Sequence, residues 1–304
     1  MVRHDGDAAS DPIIFSPHRA KRRQSSPVKN SFRTSFIILL TAGVFLLAGC
    51  RALPAKKSNA VTLDLNRVQR VHGGIIRGDQ THKAIAIAFT GHEFAEGGET
   101  ILGELKAHSA RASFFLTGAF LTNVMFRPLV TRIAADGHYL SVHSDKHLLY
   151  CSWEKERKTL ITKAQFQSDI EKNIQRFKLL GLAQQPGRYF IPPFEHHNQQ
   201  IVDWADEMGL TVINYTPGTR SNADYTEEAE KNFVSSQTIF DSIVKRERDD
   251  PHGLNGFILL LHIGSGPGRA DKFHTRFGEL LDYLSGKGYK FVRVDELLES
   301  KDNP

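Results

Sequence analysis

From residue 82 onward the chain repeats one rhythm, a short apolar run followed by an amphipathic stretch, and this limits its fold more than any other feature. The runs at 83–89 (KAIAIAF), 112–118 (ASFFLTG), 139–142 (YLSV), 188–191 (RYFI), 211–214 (TVIN), 256–261 (GFILLL) and 289–294 (YKFVRV) have the length and side-chain pattern of strands. Helical periodicity fills the gaps, at 97–108, 126–135, 165–180, 201–208, 237–246 and 273–285. Gly181 and Gly209 stand just past two of these stretches, where helices stop. Seven strands separated by helices imply parallel pairing through right-handed crossovers. A length of about 220 residues suits one (β/α) barrel, with a doubly wound open sheet as the alternative.

The first fifty residues have another character. They hold 7 Lys/Arg against 3 Asp/Glu, while the remaining chain is nearly balanced at 32 against 31. That balance argues against a nucleic-acid binder with a large basic field on its body. The apolar run 36–47 is twelve residues long, too short to span a bilayer, which takes about 20. A basic lead, a short apolar core and small residues at its end read as an export signal. The ending Leu47-Ala48-Gly49-Cys50 resembles a bacterial lipobox, which implies acylation of Cys50 and attachment to a membrane surface without spanning it. Arg51, in place of Asp, favours the outer membrane by the same resemblance. Residues 1–50 are therefore read as a lipoprotein signal, 51–81 as a tether and approach segment, and 82–300 as the folded body. The other cysteine, Cys151, is left without a partner, and two cysteines exclude a multi-cysteine zinc module.

Active sites of (β/α) barrels lie at the C-terminal ends of the strands. There this chain places His92-Glu93, His143-Ser144-Asp145-Lys146-His147, Glu195-His196-His197-Asn198, Asn214-Tyr215 with Asp224-Tyr225 ten residues on, and His262. His143 and His147 form H-x3-H, which on a helical turn lets both rings reach one divalent ion. The zinc-protease version needs Glu after the first His, and Ser144 stands there. His262 ends an apolar strand and reads as a proton donor facing the same mouth, or else as a satisfied core histidine. His196 and His197 read as loop surface able to supply a ligand. Asp145 reads as a group that orients a histidine ring.

H-S-x-x-H after the third strand, L-L-H after the sixth and the late GYKFVRVDELL together resemble the polysaccharide deacetylase family of metal-dependent carbohydrate esterases, over residues 82–298. The resemblance implies a distorted seven-stranded (β/α) barrel and removal of N- or O-linked acetyl groups from polysaccharides. The family motif T-F-D-D-G carries a base and a metal ligand; in strict register Thr90 and Gly91 replace them here, and His92 and Glu93 follow directly. The stretch TGHEF resembles a divergent subgroup. The family's R-x-P-Y motif reads Ile191-Pro192-Pro193-Phe194, without its arginine, although Arg188 lies earlier on the strand. Asp224-Tyr225 loosely matches the fourth motif.

The expectations are these. His143, His147 and His92 hold a divalent metal, zinc first and cobalt, nickel or manganese as alternatives. Glu93 by preference, with Glu195 second, takes a proton from water. His262, held charged by Asp224, protonates the leaving group. Phe194 and Tyr225 wall the sugar site. The substrate is an acetylated cell-envelope or environmental polysaccharide, and the protein is periplasmic and anchored through Cys50. Two alternatives differ in class: a glycan-binding pseudo-deacetylase with weak or no turnover, motivated by the missing Asp pair, and a glycosidase, which requires two carboxylates across a cleft.

Overall fold

A computed structural model describes residues 67–182 and 186–299, all within the unit Val61–Pro304. The leader with its lipobox and most of the expected tether lie outside the described residues. No helix among the described residues is long and apolar enough to cross a membrane.

Nine strands and eight α-helices alternate through the described chain. The strands are β1 (Gln69–Val71), β2 (Gly74–Arg77), β3 (Ala84–Gly91), β4 (Ser113–Leu116), β5 (Tyr139–Val142), β6 (Tyr189–Phe190), β7 (Thr211–Val212), β8 (Phe257–His262) and β9 (Lys290–Val292). The helices are α1 (Gly98–Ala107), α2 (Gly118–Thr122), α3 (Arg127–Ala135), α4 (Lys163–Leu179), α5 (Gln199–Glu207), α6 (Ser236–Asp249), α7 (Phe277–Gly286) and α8 (Val294–Glu299). The main sheet runs β1-β2-β8-β3-β4-β5, with β9 also pairing β3, and β6-β7 form a second, two-stranded sheet. Gly187 N donates to Leu140 O at 2.8 Å beside β5, Asn214 N to Ile75 O at 2.7 Å beside β2, and Thr216 N to Ile258 O at 2.9 Å beside β8. These bonds curl the two sheets toward closure, and the result is the expected barrel in distorted form.

All seven expected strands are present, and their parallel pairing holds for β3 with β4, β8 and β9, for β4 with β5, and for β6 with β7. Three differences matter. Residues assigned to the approach segment form the β1–β2 hairpin, which joins β8 antiparallel and makes the sheet mixed. The buried Arg77 fixes this hairpin through Asp250 at 3.0 Å and the carbonyls of Asn255 and Gly253. The turn is His72-Gly73, both at positive φ, and β2 opens on Gly74, where a Cβ would meet the His197 ring at 2.6 Å. The last strand stops at Val292, and Val294 opens α8 instead, its N–H held by Ser113 Oγ at 2.9 Å. A short helix, α2, follows β4 directly, capped by Thr117.

Strand alternation explains the two cores. On β3, Ile85, Ile87 and Phe89 face the helix layer, together with Ile101, Phe114, Leu259 and Phe277. Ala86 and Ala88 face the barrel interior, with Phe115, Tyr139, Tyr189, Ile191, Ile213, Ile258 and Leu260. Small residues on the central strand leave room for the rings of its neighbours, the interdigitation that native packing density requires. Val294, Leu297 and Leu298 of α8 join this inner cluster; Val294 adjoins Ser113 at the start of β4, so α8 covers the N-terminal end of the barrel. The opposite rim is where polar residues replace apolar ones.

Candidate active site

Period-2 alternation carries chemistry to that rim. Residues two positions beyond the inner apolar layer are Thr90 after Ala88, Thr117 after Phe115 and His262 after Leu260, and His143 continues the same parity from Tyr139 through the buried Ser141. Register aligns them, since Thr90 pairs with His262, Gly91 with Leu116 and Leu116 with Val142. His143 and His262 therefore share one end of the barrel.

His143 is buried, and its Nδ1–H donates to Ile191 O at 2.7 Å. That bond leaves Nε2 with its lone pair free. Its backbone N–H donates to Asn173 Oδ1 at 3.0 Å. His147 reaches the same place by a tight loop and not by the helical turn expected: Ser144 and His147 both have positive φ, 74° and 52°, and His147 N donates to Ser144 Oγ at 2.8 Å. The two ring centroids lie 5.1 Å apart, tilted by 59°. Two imidazoles bound to one tetrahedral zinc, with Zn–N about 2.0–2.1 Å, have centroids about 5 Å apart, so the pair fits a metal. His92 stacks on His147 at 4.6 Å and shares a 3.1 Å hydrogen bond between Nδ1 and Thr117 Oγ1, with Nε2 3.8 Å from Glu93. Among the described residues no three His, Cys, Asp or Glu side chains converge as they stand to hold an ion.

Burial sets the charge state of these rings. It pushes the His143 pKa down to about 3, despite the Ile191 hydrogen bond, and His262 and His92 nearby lower it further. His147 is lowered well below its ordinary value, chiefly by burial and then by His143. His92 is lowered by burial, against a smaller opposing pull from Glu93. All three are therefore neutral near pH 7, the form that can ligate a cation.

His262 is different. Its Nδ1–H donates to Asp224 Oδ1 at 2.6 Å, and its backbone N–H to Asp224 Oδ2 at 2.9 Å. Burial would lower its pKa, but the Asp224 charge, its hydrogen bond and Glu195 together raise it above the ordinary value. Tyr225 packs on the ring at 4.9 Å. Glu195 is pushed up to about 7 by burial, raised further by Asp224 and partly restrained by His262. It follows Phe194, and both have left-handed backbones at φ 59° and 52°. Two consecutive non-glycine residues in that region store strain, and strain of this kind collects at functional sites.

The other sequence candidates distribute as follows. Glu93 is a surface carboxylate, 67% exposed. Asp145 orients no histidine: its Oδ1 accepts from Arg176 Nε at 3.1 Å, tying the loop to α4. Arg188 lies at the opposite end of β6, over Tyr189 and 3.1 Å from Glu299, too far round to stand in for the missing motif arginine. His196 and His197 are buried and not on the surface, donating to Ser152 O at 2.8 Å and Val71 O at 3.2 Å. The strained Phe194–Glu195 turn carries the following residues inward. Cys151 is buried and unpaired, and its thiol is pushed up to about 11 by burial, which leaves it unreactive. A depression of about 680 Å³ lined by Lys83, Glu247, Asp250 and Tyr289 lies at the N-terminal ends of the strands, away from all of these groups.

Sequence reasoning missed Asp169 and Asn173. They sit four apart on the buried face of α4 and clamp the 143–150 loop, Asp169 accepting from Lys146 N at 3.0 Å and Tyr150 Oη at 2.7 Å. Two polar residues inside the stripe of Phe166, Ile170 and Phe177 were the available signal. Thr90 was placed but not its condition: its buried Oγ1 has no hydrogen-bond partner.

Residues 77–213 match the sequence model of the polysaccharide deacetylase family. A peptidoglycan-N-acetylglucosamine deacetylase of Bacillus cereus is 22% identical over 217 residues, 71% of this chain and 68% of that protein. The solved structure of Bacillus subtilis PdaA, a family 4 carbohydrate esterase, shares the fold with a TM-score of 0.59 at 19% identity, covering 74% of this chain and 85% of the other. A wild-type CE4 family pseudoenzyme from Bacillus anthracis does so with a TM-score of 0.58 at 18% identity, covering 75% and 70%.

Proposed function

This chain belongs to the polysaccharide deacetylase family, and we propose that it hydrolyses N- or O-linked acetyl groups on a cell-envelope glycan, with peptidoglycan the first substrate to try. The observation that carries the proposal is the His262–Asp224 dyad, with Glu195 beside it, on the same barrel rim as the neutral His143–His147 pair. The substrate class is suggested by the B. cereus relative.

His143 and His147 would hold a divalent cation, zinc by preference, with His92 as third ligand. A cation there supplies Lewis acidity toward the acetyl carbonyl and the attacking water. The rest is the work of the chain's own residues. Glu195 accepts a proton from the water; a carboxylate with a pKa near 7 is matched to that role at neutral pH. We assign the base to Glu195 ahead of Glu93 because Glu195 is held by strained backbone among Asp224, His262 and Tyr225, whereas Glu93 is exposed. His262 donates a proton from Nε2 to the departing nitrogen or oxygen as its bond to the acetyl carbon breaks. Acetate and a free amine or hydroxyl leave. Asp224 fixes the tautomer and keeps the imidazolium available. Acylation at Cys50 would tether the enzyme at the periplasmic face of the outer membrane.

A second reading, glycan binding without turnover, is favoured by Thr90 and Gly91 standing where the family motif has two Asp, by the unformed third ligand position, and by the pseudoenzyme among the structural neighbours. Acetate release from acetylated glycan by the zinc-loaded protein separates the two. Release abolished in His262→Gln supports hydrolysis, and binding without release supports the alternative.

A further inference from the structure

Trp153 is 40% exposed, yet the loop that carries it is fixed from several sides. Cys151 bridges Thr159, Ser152 N donates to Lys158 O at 2.8 Å, and Lys158 N donates to Ser152 Oγ at 3.1 Å. The segment after Glu195 clamps the loop from its buried side. His196 Nε2 donates to Ser152 O at 2.8 Å, Arg157 Nη1 to His197 O at 2.8 Å, and Asn198 Nδ2 to Arg157 O at 2.6 Å and Thr159 Oγ1 at 2.9 Å. The His-His-Asn run, which the chemistry at the rim does not use, serves here. A loop this well held is ordered before any ligand arrives, which lowers the entropy cost of binding.

Its position is equally specific. The indole packs on His196 at 4.3 Å, tilted by 35°, and meets Phe194 edge-on at 6.1 Å, and Phe194 packs on His147 at 4.5 Å. An aromatic row thus leads from His147 outward to Trp153. The residues next to it, Glu154, Lys155 and Glu156, are exposed and charged, so the apolar face is a single indole and not a patch broad enough for protein docking. One flat ring in a polar rim matches the apolar face of a pyranose, which also carries hydroxyls at its edge.

We propose that Trp153, backed by His196 and Phe194, is a stacking platform for the sugar ring adjoining the acetylated one, so that the site recognises a polymer and not an isolated sugar. The inference rests on the glycan-deacetylase reading and adds a subsite to it.

The test uses the only two tryptophans in the chain. In a Trp204→Phe background, emission reports Trp153 alone. Titration with N-acetylglucosamine hexamer or with soluble peptidoglycan glycan strands is expected to shift that emission saturably, and monomeric N-acetylglucosamine to leave it unchanged. Trp153→Ala is expected to reduce the preference in kcat/KM for hexamer over monomer by about 10-fold, mainly through KM, the loss of one aromatic contact. Trp153→Phe restores most of the preference, and far-UV circular dichroism checks that both variants fold. Deacetylation of the polymer with flat Trp153 emission, or an unchanged preference in Trp153→Ala, overturns the platform and leaves the deacetylase reading standing. A saturable shift without acetate release keeps the platform and overturns the deacetylase reading.

Discussion

Replacing Glu195 by Gln is expected to make the protein more stable and less active at once, with the gain confined to neutral and alkaline pH. The folded-state pKa of Glu195 is about 7, against an ordinary value of 4.5. A carboxyl raised in the folded state binds more protons there than in the unfolded chain, so stability falls as pH rises from 4.5 to 7. Above both values the full difference is worth about 3 kcal/mol. The part of the side chain that still meets solvent at the mouth weakens the effect, and we take about 2 kcal/mol at pH 8 and less than about 1 kcal/mol at pH 5. Gln keeps the shape and removes the titration. Urea unfolding followed by circular dichroism, with EDTA present, is then expected to show a midpoint about 1 M higher for Glu195→Gln at pH 8, at unchanged slope, for a slope of about 2 kcal/mol/M. At pH 5 the two midpoints nearly coincide. Acetate release by the zinc-loaded variant falls by about 10²-fold or more, the loss expected of a missing base. A stability difference that does not change with pH, or a variant that is less stable at pH 8, refutes the assignment of Glu195 as a buried, strained carboxylate.

The other expectations concern neighbouring groups. Asp224→Asn removes the charge that outweighs burial at His262, so the basic limb of the kcat/KM profile moves to lower pH and activity at pH 7 falls by about 10²-fold. Because a raised histidine pKa stabilises the fold below the unfolded value and loses that contribution as pH climbs through the folded one, the same variant costs more stability at pH 6 than at pH 9, readable by thermal unfolding. Thr90→Val removes a buried hydroxyl with no partner and is expected to raise stability by about 1 kcal/mol in urea titration. Arg77→Met takes one of two arginines from Asp250, leaving Arg246 at 2.7 Å and the His252 N–H at 2.8 Å, and releases the β1–β2 hairpin, at a cost of about 3 kcal/mol by the same measurement.

Much of the architecture was legible because it depends on local pattern. The KAIAIAF alternation sorts isoleucines outward and alanines inward without reference to any distant residue, and the same parity, continued two residues further, delivers Thr90 and His262 to one rim. The β1–β2 hairpin escaped because its strands are only three and four residues long and the outer one is exposed; its support comes from Asp250 and Phe257, far along the chain. The H-x3-H pair was legible as a pair but not as a geometry. Spacing suggested a helical turn, while Ser144 and His147 adopt left-handed backbones supported from outside the motif by the clamp from Asp169 and Asn173. The proton acceptor was the hardest part to read. Glu93 stands next to His92 in sequence and Glu195 far along the chain from it, and exposure, which reverses the order proposed for them, depends on where the strained Phe194–Glu195 turn sends the chain.

Metal-dependent hydrolysis at the rim stands or falls on acetate release from acetylated peptidoglycan glycan strands, measured for the wild-type chain, His143→Ala and His262→Gln with zinc and again after chelation. The zinc-loaded wild type is expected to release acetate steadily, to lose activity on chelation and recover it when zinc is returned, and each variant to fall by at least about 10²-fold. Release that survives chelation, or that persists undiminished in both variants, contradicts it.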